Sequence, residues 1–456
     1  MISPTLSMGR RGLLLLAGAL CAGPALCAVS AEEAAALRTT LTPMGAERAG
    51  NKDGTIPAWN GVYSQMPAGY RSGQRKADPF AQERPVYTIT ARNLQQYADR
   101  LSEGSKALLK KYPDSFRIDV YPTHRTGGAP QWVYDNTLRN ATQARLSAGG
   151  LKLEGAYGGV PFPIPKSGHE AMWNHLLRWQ GEASEVSFRT YAVADGSVTM
   201  TSQNRVFQQF PYYRRDGSAE SFKGVFLMNR VVTDGPANRA GEMLMLKDAV
   251  DQTSGSRDGW SYVVGQRRVR KSPSLAYDSP NEGTAGVMNF DELQVFSGPL
   301  DRYDWKIVGK REMVVPYHGM KALAVADEEL VGPRHPNPDH LRWELHRVWV
   351  VEGQLAPGKR HVAPKRRVYL DEDTWAAVLG DIWDGQGQLW KFQFTLGTLV
   401  PEMPGYLAAG GGAVELVTGN WAMLGLTNGL QVVNRMVPNR PETFFTPEAM
   451  ARDGVR

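Results

Sequence analysis

Several metal-ligating and acid–base side chains crowd into one stretch of this sequence: His335-Pro336-Asn337-Pro338-Asp339-His340, followed by Glu344 and His346. On a strand, residues two apart share a face, so Glu344 and His346 would point together. With the loop folded back they could ligate a divalent cation or act as an acid–base pair. The spacing matches no familiar metal site, and a proline-braced loop entering a strand, with His346 hydrogen-bonded, accounts for it without an ion. No metal and no other cofactor is assigned. His124, His169, His175, His318 and His361 stand singly and suggest no dyad. The sequence carries no Gly-x-Ser-x-Gly elbow, no Walker-type phosphate loop and no His-Glu-x-x-His, and Gly410-Gly411-Gly412 reads as a flexible turn. A non-enzymatic role is therefore expected. The competing reading is a hydrolase working on a hydrophobic or glycan substrate through Glu344, His346 and the His335 loop.

Positive charge and aromatic rings are the other informative classes. Gln266-Arg267-Arg268-Val269-Arg270-Lys271 is the densest basic run, with Lys365-Arg366-Arg367 second. On a strand Arg268 and Arg270 share a face, which assigns Arg267, Arg268 and Arg270 to an anionic headgroup or an acidic partner. A net charge of +6 is too dilute over 456 residues for nucleic acid, and no stacking aromatics interleave the run. Of the aromatics, most belong to a core. The remainder is assigned to an apolar cavity, with Trp132, Tyr134, Trp173, Leu177, Trp349, Phe392 and Phe394 as its lining.

The elements that would position these residues begin after an export signal over residues 1–28. Arg10 and Arg11 precede an apolar run from Gly12 to Gly23, and small residues follow from Ala25 to Ala31. The run is about a dozen residues, short of the roughly 20 that span a bilayer. Both cysteines, Cys21 and Cys27, lie inside the 1–28 signal, so the remaining chain must be held by its core and is expected in the periplasm, free or peripheral to the outer membrane. Residues 29–165 are rich in Pro and Gly and read as a wrapping segment with short helices: Ser30 with Glu33 forms a capping box, Ser102 caps a second helix, and a third is expected over Asn136 to Ser147. Ser167 to Glu170 opens a helix carrying Met172, Trp173, Leu176 and Leu177, stopped by Gly181.

Beyond it the periodicity becomes two. Asp195-Gly196 joins Val186 to Ala194 with Val198 to Phe210, a strong hairpin signal. Further strands are expected at Phe222 to Val232, Glu242 to Val250, Trp260 to Arg270, Asp304 to Val315, Leu341 to Glu352, Pro364 to Leu370, Ala376 to Trp383, Leu389 to Leu399 and Ala413 to Leu424. In Lys391 to Leu396 the apolar residues alternate with polar ones, which implies a sheet with one wet side. Some 10–11 antiparallel strands must curl. The expected fold is α+β: residues 166–456 form a curved antiparallel half-barrel closed by helices, behind the irregular N-terminal wrap.

Six motifs in order then resemble a proteobacterial family of unknown function whose members are commonly labelled outer-membrane lipoprotein-sorting proteins. They are Tyr121 to Arg125, Pro130 to Asp135, Gly158 to Pro165, Gly265 to Arg270, Asp301 to Lys306 and Glu344 to Val350. The resemblance implies a LolA-like half-barrel with a helical lid whose cavity binds acyl chains. It further implies traffic of a lipid, lipoprotein or other hydrophobic ligand, with an outer-membrane β-barrel protein and an inner-membrane exporter as partners. A non-carrier adaptor between those two, using the strand from Arg267 to Lys271, is the third reading.

Overall fold

The computed structural model describes residues 1, 29–66, 68–253 and 257–454. The export signal expected over residues 1–28 therefore lies outside the described residues, apart from Met1. No helix among the described residues is long and apolar enough to cross a membrane.

Asp195 and Gly196, at φ 49° and 79°, close a tight turn between β1 (Ala183–Ala194) and β2 (Ser197–Gln209), as the Asp-Gly pair predicts. The meander continues through β3 (Val225–Gly235), β4 (Met243–Ala249), β5 (Arg257–Val263) and β6 (Arg268–Lys271). After a long crossover it resumes with β7 (Tyr303–Pro316), β8 (Trp343–Leu355), β9 (Lys365–Asp371), β10 (Ala377–Trp383), β11 (Leu389–Leu399), β12 (Tyr406–Glu415) and β13 (Trp421–Leu426). The spatial order is β7 to β13 and then β1 to β6, because β13 pairs with β1. Three short strands, Tyr87–Ile89, Ile118–Val120 and Asn434–Met436, bring the sheet to 16. It is curved, open and antiparallel except for one parallel bridge between Trp343 and Val120.

The thirteen main strands exceed the expected 10–11 because two expected strands each fold into a hairpin. Trp260 to Arg270 divides at Val264–Gln266, where Arg267 takes a left-handed φ of 46° and returns the chain. Ala413 to Leu424 divides at residues 416–420. Gly410-Gly411-Gly412 is strand, not turn, and lies in β12. A Cβ on Gly411 would lie 2.3 Å from the Phe394 carbonyl oxygen, and one on Gly412 2.2 Å from that of Ala422, so only glycine permits these strands their close approach.

The helices follow their capping signals. Ser30 and Glu33 cap each other across α1 (Ala31–Ala35), and Ser102 Oγ accepts from Ser105 N at the start of α2 (Glu103–Lys111). α3 spans Gln131–Gln143, starting ahead of the expected Asn136 because extended Pro130 precedes it. Ser167 caps α4 (Gly168–Leu176), which ends before Gly181 and leaves Arg178 and Trp179 in the segment beyond. α5 (Pro447–Gly454) packs on β5 and β6, where the Tyr262 hydroxyl donates to the Gly454 carbonyl.

The two faces are covered unequally. On the concave face α4 lies across β7 and β8 and, with α3, fills the half over β7–β10 with Trp173, Leu177, Phe296, Trp305 and Trp375. On the other face, α2 and the segment around Ile89, Leu94 and Phe116 cover Phe392, Phe394 and Leu396. The expected wet side of β11 is therefore dry: Lys391, Gln393 and Thr395 are all at most 2 % exposed. The crossover between β6 and β7 lies over them, with Lys391 Nζ 3.0 Å from Glu292 Oε2 and Gln393 Nε2 donating to the Glu292 carbonyl.

Candidate functional site

Where α4 and its aromatics stop, the concave face is hollow. A cavity of about 250 Å³ lies over β1–β4 and β11–β13, near the lower end of ligand-site volumes. Its walls are Val186, Phe188, Val206, Leu227, Val231, Leu244, Leu246, Leu407 and Leu424, with the side-chain-free run Gly410–Gly412. Its roof is the crossover, through Thr284, Met288, Phe290, Leu293, Gln294 and Val295. Gln294 and Val295 both hold positive φ, 52° and 71°, a backbone region costly for a β-branched side chain. Polar side chains also reach the walls, among them Gln180, Asn204, Asn229, Asn434 and Arg239, the last paired with Glu242 at 2.9 Å.

One charged group lies behind this wall. Arg178 is 5 % exposed and donates to the His175 carbonyl at 2.6 Å, to Gln180 Oε1 at 3.1 Å and to Gln294 Oε1. Burial pulls its guanidinium down to about 10. Burial, with Arg178 beside it, likewise pulls His175 down to about 3, while its two ring nitrogens face the carbonyls of Phe296 at 2.8 Å and Trp375 at 3.1 Å, of which a neutral ring donates to one.

The expected lining residues fall mostly elsewhere. Phe394 touches the cavity boundary, but its ring belongs with Phe392 and Leu396 to the face under α2. Trp173 is fully buried under the filled half, donating to the Gly150 carbonyl, with Leu177 beside it. Trp132 packs edge-on to Trp179 at 5.5 Å, Tyr134 accepts from Ala129 N, and Trp349 stacks on Trp375 at 6.1 Å. Phe392 lies on the opposite face under α2. Trp and Tyr rings fill space where a helix must be seated on a sheet, whereas the hollow is lined by Val, Leu, Phe and Gly with polar side chains among them. The mixed Val, Leu and Asn alternation of β2–β4 was the available signal. Arg267, Arg268 and Arg270 are exposed on the β5–β6 hairpin, Arg267 in its turn and the other two on one face of β6, with Val263 and Val264 exposed beside them.

The acid–base cluster is assembled, but differently from the expectation. Glu344 and His346 share a face of β8 and bond at 3.1 Å. His335 does not join them; it bonds Ser115 Oγ at 2.9 Å. His318 and His124, which stand alone in the sequence, do join: His318 Nδ1 lies 2.7 Å from Glu344 Oε1, and the His124 backbone donates to Oε2 at 3.0 Å. Arg342 completes the shell at 2.6 Å. Burial alone would raise the Glu344 carboxyl, but its bonds to His318 and His346 hold it well below the usual carboxylate range. Burial pushes His318 down, leaving a neutral ring that accepts from Thr126, whereas Asp371 and Glu344 overcome the burial of His346 and raise it to about 9.

His346, Asp371 and Asp373 have ligand atoms within 4.8 Å of one another and could reach a common metal ion. Yet both Asp373 oxygens already accept from Arg125, at 2.9 and 2.7 Å, and Asp371 Oδ2 accepts from Tyr317 and Thr374. Arg125, Arg342, Arg347 and Lys310 pair with Glu344, Glu372 and Asp373, and Asp371 lies 3.6 Å from His346, so each carboxylate has a cationic partner without an ion. Glu344 and His318 are fully buried and none of these residues borders the cavity. The arrangement is an ionic rivet: it ties Tyr121 to Arg125 of the wrap onto Glu344 to Val350 of β8, two of the motifs singled out above.

Over 449 residues the chain is 38 % identical to an uncharacterized protein of Pseudomonas aeruginosa, covering 97 % of this chain and 98 % of that one. A solved domain from Vibrio parahaemolyticus, whose name refers to outer-membrane lipoprotein sorting, is similar at 16 % identity with a TM-score of 0.42, over 62 % of this chain and 97 % of its own. A second, from Desulfovibrio piger, is similar at 14 % identity with a TM-score of 0.41, over 59 % and 92 %. The model of the family described as protein of unknown function (DUF1329) matches residues 88–451, and the chain belongs to that family.

Proposed function

We propose that this protein is a non-enzymatic periplasmic carrier that shelters the apolar part of a lipid, lipoprotein or other hydrophobic ligand in the cavity over β1–β4. The observation that carries the reading is the cavity itself: about 250 Å³, lined mainly by Val, Leu, Phe and Gly with some polar side chains and roofed by a loop instead of a packed helix. An alkyl chain entering it gains about 0.8 kcal/mol per buried methylene, so six to eight methylenes supply several kcal/mol. The test is uptake of a fluorescent fatty acid by the purified protein, with native mass spectrometry of protein taken from the periplasm. Val231→Trp, which places a large ring in the hollow, should cut uptake at least tenfold while leaving the circular dichroism unchanged. A clean ligand-free mass together with no uptake by the wild type refutes the reading.

A second feature supports a docking role at the far end of the sheet. The β5–β6 hairpin presents Arg267, Arg268 and Arg270 beside exposed Val263 and Val264, a pairing suited to an anionic membrane surface or to an acidic face of a partner such as an outer-membrane barrel or an exporter.

A further inference from the structure

Eight arginine and lysine residues are buried among the described residues, and seven of them have a carboxylate partner. Arg125, Arg230, Arg257, Arg342, Arg347, Arg366 and Lys391 each lie between 2.6 and 3.3 Å from an Asp or Glu oxygen. Arg178 alone has none; its partners are one backbone carbonyl and two neutral amides. A buried cation without a counter-charge is among the costliest features a fold can hold, and elsewhere this protein avoids it. The position is also informative. Gln180 and Gln294, the two amides that occupy the guanidinium, are themselves part of the cavity wall, so Arg178 stands one side chain behind the apolar hollow.

The geometry points to Arg178 as the receptor for the acid group of the ligand, which makes the ligand an anionic amphiphile: an alkyl chain over β1–β4 with a single carboxylate or phosphate head at the Arg178 end. This rests on the carrier reading and narrows it. Gln294 acts as a stand-in, its Oε1 holding the guanidinium in the free protein. Its own backbone and that of Val295 are in the left-handed region, so the roof at this point is held in a strained form that gains by moving away when an acid oxygen takes over the bond. A guanidinium accepts either head through two parallel hydrogen bonds, and the dry surroundings strengthen them. Arg239 also borders the cavity, but its guanidinium is already paired with Glu242 at 2.9 Å, which leaves Arg178 as the arginine there without a carboxylate partner.

The experiment compares matched probes by equilibrium dialysis at pH 8 below their aggregation concentrations: laurate and dodecyl phosphate against 1-dodecanol and methyl laurate, on the wild type and on Gln294→Glu. The substitution gives Arg178 an internal carboxylate without removing any side chain from the core. The wild type should bind at least one of the two acids tenfold or more tighter than the alcohol and the ester, and the ratio between laurate and dodecyl phosphate reports which acid head the site takes. In Gln294→Glu the preference for acids should collapse to near unity while dodecanol binding persists. Equal binding of acids and neutral probes by the wild type overturns the Arg178 assignment and leaves the carrier reading standing, as does a preference that survives in Gln294→Glu. Binding of no probe at all overturns the carrier reading and this inference with it.

Discussion

Replacing His346 by glutamine should convert a pH-dependent stability into a flat one. Burial opposes charge on this ring, but Asp371 at 3.6 Å and Glu344 at 3.1 Å overcome it and raise it from 6.5 to about 9. Tyr317 stacks on it at 3.8 Å, and the charged Arg342 and Asp373 and the neutral His318 complete its surroundings. Because the folded value lies above the unfolded one, the stabilisation is complete below about pH 6.5 and is lost as pH rises through about 9. At 1.36 kcal/mol per pKa unit the full effect is roughly 3 kcal/mol, of which about 2 kcal/mol remains at pH 7.5. Glutamine keeps a donor toward Glu344 but takes up no proton. The assay is urea unfolding of both proteins at pH 6, 7.5 and 10 and constant ionic strength. The wild type should exceed His346→Gln by a margin that narrows by about 3 kcal/mol from pH 6 to 10. Parallel profiles, with an unchanged margin, would show that His346 is neutral in the fold and that the rivet depends on Arg125, Arg342, Arg347 and Lys310 without it.

Two other predictions address the buried polar face of β11 and the basic hairpin. Lys391→Met leaves Glu292 buried without its partner and should cost about 3–5 kcal/mol in urea unfolding, while Lys391→Met with Glu292→Leu should recover most of the loss. An unchanged single variant would mean that this face is open to water. Changing Arg267, Arg268 and Arg270 together to Glu should lower co-sedimentation with phosphatidylglycerol vesicles at least tenfold, and 0.5 M salt should do the same to the wild type. Vesicle binding that ignores both treatments rules the hairpin out as the contact.

The strands and capped helices were legible because their signals are local. Asp195-Gly196 dictates a tight turn whatever surrounds it, and Ser102 and Ser167 find their backbone donors within one helical turn. The two strands that divided show the limit. Gly265 and Gly419 do mark turns, but the apolar residues around them blur each hairpin into one run, while three consecutive glycines disguise the strand at Gly410–Gly412. The polar face of Lys391, Gln393 and Thr395 looked wet because alternation reports only that two faces differ; it is silent on what a crossover a hundred residues upstream lays upon the polar one. Glu344 and His346 were paired correctly by their spacing of two. His318 was invisible as their partner, since its 26-residue separation from Glu344 is closed only by tertiary folding.

The position of the cavity follows from the topology. Since β13 pairs with β1, the strand that ends the first meander, β6, and the strand that starts the second, β7, lie at opposite ends of the main sheet order. At about 4.8 Å between neighbours, thirteen strands laid flat would separate those ends by nearly 60 Å. The roughly thirty residues that join them could reach about 100 Å when extended, so they cross with slack, and the slack is taken up in short 3₁₀ turns at Glu282–Thr284 and Phe290–Glu292. The sheet curls, and the shortest way between its ends runs over the concave face. A helix such as α4 seats large rings against the sheet and leaves no space, whereas a slack crossover rests on a few anchors, here Glu292 on Lys391 and Phe296 on His175, and stands off the sheet between them. The hollow therefore forms under the crossover and not under the helices. The same segment that the chain needs to connect its two meanders is the roof that a ligand must displace.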